Sequence, residues 1–197
     1  MGGRALTVDA VAAPRKALFL DRDGVINIDH GYVHRPDQVE FCPGIFDLVR
    51  QARERGYAVV VVTNQAGIGR GYYSESDFQA LSTWMLAHFA ERGAPIDRIY
   101  HCPDHPQHGV GPYRRESPWR KPNPGMLLQA AADLGLSLAD SLLVGDSASD
   151  IEAGRRAGLR QTILFRDSFT TSPDTDVGSF PATARVDDLA DVLPYLS

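Results

Sequence analysis

Cysteine is scarce in this chain of 197 residues: only Cys42 and Cys102 are present. Two cysteines cannot make a disulfide framework, so the fold has to be held by a packed core. There is no apolar run long enough to span a bilayer and no charged-apolar-small leader, which leaves the cytoplasm as the expected compartment. Excess positive charge is also missing. Net charge is −5 and pI about 5.6, so no basic field exists to hold nucleic acid or an anionic membrane. No Walker-type glycine loop occurs, and Gly67-Ile68-Gly69-Arg70-Gly71 is too degenerate to read as a dinucleotide fingerprint. Repeats and low-complexity tracts are absent as well. Any anion-binding site must therefore be built locally.

What is present is a 43% hydrophobic chain, enough to bury one full core. Its organising stretch is Leu18 to Asn27, three apolar residues running into Asp21-Arg22-Asp23-Gly24. An apolar run stopped by a turn signal predicts a buried strand that delivers its last side chains to an open edge. Two carboxylates there repel each other unless a cation or a shared proton relieves them. A solvated turn after a strand is the plain alternative.

Apolar runs predict further strands at 58–62, 96–100, 141–144 and 161–165. Helices are predicted between them. One opens at Pro43-Gly44, buries Ile45, Leu48, Val49 and Ala52, and stops at Gly56. A long one is capped by Ser74 or Ser76, with Phe78, Leu81, Met85 and Phe89 on its core face. A third covers 124–134 with Asn123 as cap and Gly135 after its end; a fourth runs to about Ala157. A short apolar helix near 189–196 ends the chain. Residues 1–16 are expected to be a loose extension and 17–197 a single domain. The stretch 101–120, rich in Pro, Gly, His and Arg, is predicted to be a functional loop.

Alternating strands and helices imply a doubly wound, mainly parallel α/β sheet of Rossmann-like type without a large cap domain. Parallel strands would carry their trailing polar residues to one edge, where such sheets bind ligands. Those residues are Asp21 and Asp23, Thr63 and Asn64, and Asp146 and Asp150, with Arg120-Lys121 standing before a helix. Asp21, Asp23 and Asp146 are hard oxygen ligands suited to Mg²⁺. Lys121 offers a cation to phosphoryl oxygens, Thr63 a hydroxyl donor, and a carboxylate can serve as nucleophile. The set points to hydrolysis of a phosphate ester.

With these motifs in order over Leu18 to Asp150, the chain resembles the haloacid dehalogenase superfamily of phosphohydrolases. The closer resemblance is to its heptose-bisphosphate phosphatases, which share much of their pattern with histidinol-phosphate phosphatases. It is carried by Asp21-Arg22-Asp23-Gly24, by 29–34, by Thr63-Asn64-Gln65-Ala66-Gly67-Ile68, by 102–107 and by 120–126. The resemblance implies a small sugar bisphosphate as substrate, in bacterial heptose activation, and a monomer or at most a dimer. A non-catalytic phosphate-binding protein on the same fold is the alternative from another class.

It also implies roles. Asp21 would attack phosphorus, and Asp23 would protonate the leaving oxygen and then activate water. Mg²⁺ would sit on Asp21, the backbone carbonyl of Asp23, and Asp146, with Asp150 behind it. Thr63 and Lys121 would hold the phosphoryl oxygens. The loop of Asp29, His30, Gly31 and Tyr32, together with Asn64, Gln65, Ala66 and Arg120, would bind the sugar and its distal phosphate. The family commonly carries zinc on a Cys-x-His and a Cys-x-Cys pair after the third strand. Here those positions read Cys102-Pro103-Asp104 and Ser117-Pro118-Trp119, and His105 and His108 stand nearby at unsuitable spacing. No structural zinc is expected. Pro103, Pro106, Pro112 and Pro118, with the rings of Tyr113 and Trp119, are the expected substitutes for the staple.

Overall fold

The computed structural model describes residues 14–166 and 182–197. Six parallel strands form one sheet in the order β3-β2-β1-β4-β5-β6. They are β1 (Ala17–Leu20), β2 (Ala58–Asn64), β3 (Arg98–Cys102), β4 (Leu142–Gly145), β5 (Gln161–Phe165) and β6 (Ala184–Val186). This is the expected doubly wound α/β architecture, with the direction of strand progression reversing between β1 and β4. A crevice opens at such a reversal beyond the carboxyl ends of the strands.

Period-two alternation in β1 shows why both faces are covered. Leu18 and Leu20 join one core with Val59, Val61, Leu142 and Val144. Helix α1 (Ile45–Glu54), helix α3 (Glu75–Glu91) and the closing 3₁₀ turn Leu189–Tyr195 lie over that face. Ala17 and Phe19 face the other side with Val60, Val62 and Leu143, beneath α4 (Gly125–Leu134) and α5 (Ala148–Ala157). All four residues of β1 are fully buried, as a strand sandwiched between two helical layers must be.

The helices follow their sequence signals closely. Ser74 caps α3, because Asp77 at the third helical position completes a reciprocal capping box; Ser76 lies inside the first turn. Gly135 and Gly158 end α4 and α5 in the left-handed region, at φ 62° and 76°.

Four expectations are corrected. Strand β3 lies at Arg98–Cys102 rather than 96–100, because Asp97 is tied to Val59 through both its backbone N–H and its side chain. The run toward the sheet, residues 94–97, is irregular, and ladder pairing begins only at Arg98. Strand β2 runs on to Asn64, which places Thr63 and Asn64 inside the strand rather than after it. Asn123 does not cap α4: its amide donates to the Ser117 carbonyl and accepts from Arg156, and Pro124 takes the cap position. Strand β6 was not anticipated. Of the stretch 1–16, residues 1–13 lie outside the described residues. Arg15 bridges to Leu136, and Lys16 donates to the Ser197 carbonyl at 2.6 Å.

Candidate active site

The site is assembled where β1, β2 and β4 run out. Asp21 follows β1, and its backbone N–H donates to the Val144 carbonyl, so the nucleophile candidate is pinned to the neighbouring strand. Gly24 turns the chain at φ 83°, a conformation that costs glycine little. A Cβ there would lie 2.1 Å from Asp146 Oδ2. Glycine is therefore what allows the loops after β1 and β4 to bring their carboxylates together.

One oxygen each of Asp21, Asp146 and Asp150 lie within 4.8 Å of one another. Burial pushes Asp21 up to about 7, with Asp150 and Asp23 adding to the rise and Lys121 opposing it. Burial likewise pushes Asp146 up to about 8, reinforced by Asp21 and Asp150. Such a cluster is relieved by a bound cation, and hard oxygen donors of this number fit Mg²⁺. Asp150 is fully buried and already engaged. It pairs with Lys121 at 2.5 Å and accepts from Ser147 at the start of α5. It lies behind the other two carboxylates rather than on the cavity wall, and its charge adds to their repulsion.

Lys121 is the central cation of the site. Its Nζ lies 2.9 Å from Asp21 Oδ1 and donates to the Val62 carbonyl at 2.8 Å. Burial alone would lower its pKa, but Asp150 and Asp21 outweigh that, and the ammonium is stabilised upward. Its backbone is clamped by Asn64, whose amide both donates to the Lys121 carbonyl and accepts from the Lys121 N–H, each at 3.0 Å. Asn64 thereby holds the lysine, with both polar ends of its amide spent on that task.

Asp23 accepts from the Nε and Nη2 atoms of Arg22 at 2.6–3.1 Å, from Asn27 and from Gln65. To pass a proton to a leaving oxygen it must carry that proton and turn an oxygen away from this cradle. Arg22 is 2% exposed and its other hydrogen bond goes to the Val33 carbonyl, which ties the 29–34 loop to the site. Within that loop Asp29 accepts from the Gly31 N–H, and Tyr32 is held at φ 53° with its ring edge-on to Tyr72.

These side chains line a cavity of about 480 Å³. Asp21, Asp23, Asp146, Thr63 and Lys121 lie on its wall. Asp29, Gly31, Tyr32, Asn64, Gln65 and Ala66 make up the remainder of the expected set. Three expected residues are not on the wall. His30 turns out to pair with Glu40 on the surface, Asp150 is buried behind the wall, and Arg120 lies beside it, donating to the Asp104 carbonyl. Arg120 is held down in pKa first by burial and also by the nearby guanidinium of Arg70. Sequence reading passed over Tyr73, Ser147 and Ser149, which also line the cavity. The two serines follow an aspartate that had drawn all the attention, and Tyr73 sits after a glycine run with no periodic signal.

That glycine run has a packing explanation. Residues Ala66–Gly69 form a short helix, α2. A Cβ on Gly67 would stand 2.2 Å from the Tyr73 ring, and one on Gly69 would stand 2.3 Å from the Pro103 carbonyl oxygen. Close approach of the Tyr73 ring at Gly67 and of the 101–120 loop at Gly69, not nucleotide binding, requires these two glycines. The loop is further fixed by Val110 N–H donating to the Gly69 carbonyl and by Arg115 pairing with buried Asp104 at 3.0 Å. Trp119 packs on the α4 side of the sheet with its ring centroid 6.2 Å from that of Tyr100.

A buried lysine beside an acidic triad, at the carboxyl edge of a doubly wound sheet, defines a phosphohydrolase of the haloacid dehalogenase type. The family model described as HAD-hydrolase-like matches residues 118–192. A D-glycero-alpha-D-manno-heptose-1,7-bisphosphate 7-phosphatase of Burkholderia mallei is 54% identical over 92% of this chain and 94% of its own length. A D-glycero-beta-D-manno-heptose-1,7-bisphosphate 7-phosphatase of Vibrio cholerae is 46% identical, covering 92% and 96%. The crystal structure of a D,D-heptose 1,7-bisphosphate phosphatase from B. bronchiseptica, complexed with magnesium and phosphate, superposes with a TM-score of 0.78. It is 32% identical and covers 92% of this chain and 97% of its own. The chain belongs to this family of haloacid dehalogenase-like phosphatases.

Proposed function

We propose that this enzyme removes the 7-phosphate of D-glycero-D-manno-heptose 1,7-bisphosphate through an aspartyl-phosphate on Asp21, with Mg²⁺ as cofactor. The observation that carries the reading is Asp21 itself. It is a carboxylate at the mouth of a cavity, locked in place by Lys121 and by the Arg22 backbone N–H, with Thr63 and Asp146 on the same wall. Asp21 and Asp146, with the Asp23 carbonyl, would hold the Mg²⁺. Bound there, the ion neutralises phosphoryl charge and lets Asp21 approach an anionic ester.

Asp21 then attacks phosphorus as the bond from phosphorus to the sugar oxygen breaks, and Asp23 delivers a proton to that oxygen. Lys121 Nζ, turning one N–H away from Asp21, and the Thr63 hydroxyl donate to the equatorial oxygens. In the second half, Asp23 takes a proton from water; the water oxygen attacks phosphorus and the bond to Asp21 breaks, releasing inorganic phosphate, freeing the Asp21 carboxylate and returning Asp23 to its protonated form. Arg120, with Arg70 close by, supplies positive charge beside the cavity for the phosphate that stays on the sugar.

Phosphate release tests this directly, using both heptose 1,7-bisphosphate anomers, histidinol phosphate and p-nitrophenyl phosphate. The expected order of kcat/KM places a heptose bisphosphate first by at least a factor of ten. Arg120→Ala should weaken the bisphosphates far more than the aryl ester. Faster turnover of histidinol phosphate would overturn the substrate assignment.

A further inference from the structure

Tyr73 stands outside every role assigned above. It is 8% exposed, its ring fills the space left by the missing side chain of Gly67, and it stacks on His34 with centroids 5.0 Å apart. Its hydroxyl lies 2.5 Å from Gln65 Oε1. Gln65, itself 2% exposed, turns its Nε2 to two acceptors: Asp23 Oδ2 at 3.1 Å and Thr63 Oγ1 at 2.8 Å.

The polarity of this chain follows from its far end. The Asp23 oxygen that faces Gln65 accepts when Asp23 is ionised, and when Asp23 is protonated its proton is the one aimed at the leaving oxygen, so the amide nitrogen of Gln65 faces Asp23. The amide oxygen must then face Tyr73, and the phenol must be the donor. Thr63 Oγ1 receives the second N–H of Gln65, which leaves the threonine's own proton directed elsewhere, toward the cavity that Thr63 lines.

We propose that Tyr73 is a positioning residue for phosphoryl transfer: it donates to Gln65, and the amide so oriented fixes Asp23 and reserves the Thr63 proton for the phosphoryl oxygens. Without the phenol oxygen, Gln65 Oε1 is a buried acceptor lacking a partner. The amide is then free to turn, and Thr63 can spend its proton on Gln65 instead. This inference rests on the phosphatase reading of Asp21 and is independent of which sugar is the substrate.

Tyr73→Phe, Gln65→Met and the double variant, assayed with Mg²⁺ and p-nitrophenyl phosphate, test it. Wild-type turnover of that ester checks the phosphatase reading separately; the ratios of variants to wild type check Tyr73. Tyr73→Phe should lower kcat roughly ten-fold, the order expected for one lost hydrogen bond, with KM changed by less than about two-fold. Gln65→Met should lose at least as much, and Tyr73→Phe on that background should cost nothing more, since no amide remains to be oriented. Losses that simply add would make Tyr73 a packing residue and overturn the proposal. So would wild-type kcat in either single variant. If thermal unfolding shows Tyr73→Phe to be misfolded, Gln65→Met decides alone: unchanged kcat refutes the relay and a ten-fold loss sustains it.

Discussion

Asp21 carries two conflicting demands. As the proposed nucleophile it must be ionised and close to Asp146, yet burial and like charge raise both groups toward neutral pH. Replacing it by asparagine removes the attacking oxygen and one member of the repelling cluster. Asp21→Asn should therefore abolish turnover while raising the thermal unfolding midpoint of metal-free protein by about 2–4 °C, the shift expected from roughly 1 kcal/mol in a chain of this size. Lys121 keeps Asp150 as a partner in that variant, so no buried cation is stranded. Retained turnover in Asp21→Asn would disprove the aspartyl-phosphate route. A fall in the midpoint would show that the Lys121–Asp21 pair outweighs the repulsion.

Among elements, the 101–120 loop is the one whose order most needs explaining. Among the described residues, the one group of His, Cys, Asp and Glu side chains arranged to hold a metal is the acidic triad. Asp104 and Ser117, which replace two of the family's zinc ligands, are buried. Asp104 pairs with Arg115, while its carbonyl takes the Arg120 guanidinium. Arg115 is two-thirds exposed, so the pair is partly screened and contributes modestly to global stability. Its larger effect is local, on the loop that places Arg120. Asp104→Ala should therefore speed proteolytic cleavage within 101–120 and raise KM for the sugar bisphosphate several-fold. The KM for an aryl phosphate should hardly move. Metal analysis of protein purified without added zinc should show far less than one equivalent; stoichiometric zinc would reassign Cys102, His105 and His108.

For the whole molecule, the acidic cluster couples stability to pH and, with the proposed Mg²⁺ site, to the metal. Asp21 and Asp146 bind protons more tightly when folded than their ordinary value of 3.8 implies for the unfolded chain. Between about pH 4 and pH 8 the folded protein thus holds the extra protons, and stability falls as pH rises through that window. Mg²⁺ on the proposed ligands would bind their ionised form, so its stabilisation should grow in the same direction. Thermal unfolding with and without Mg²⁺ should show a larger metal-induced shift at pH 8 than at pH 5. An equal or larger shift at pH 5 would place the ion elsewhere.

How much of this was legible in the chain itself follows from the range over which each cause acts. Leu18 to Gly24 announced both a buried strand and the acidic turn after it. Ser74 or Ser76, Gly135 and Gly158 marked helix ends, because capping is settled within four residues; Asp77 decides for Ser74. The edge strand β3 was misplaced because it pairs on one side only and its exposed residues include Arg98. Apolar content therefore peaked two residues too early, at buried Ile96. Asn64 read as a ligand for substrate, yet its amide grips the backbone of Lys121, 57 residues away.

The sequence by itself determined the fold class and the chemistry of the site, since apolar periodicity and the order of carboxylates, hydroxyl and lysine are written along the chain. Only the tertiary structure decided which polar atoms spend their hydrogen bonds on one another. Gln65, Tyr73 and Arg22 gain their meaning from partners, Asp23, Gln65 and the Val33 carbonyl, that packing brings within 3.1 Å. A hydrogen bond acts over such distances alone, and linear spacing does not encode them.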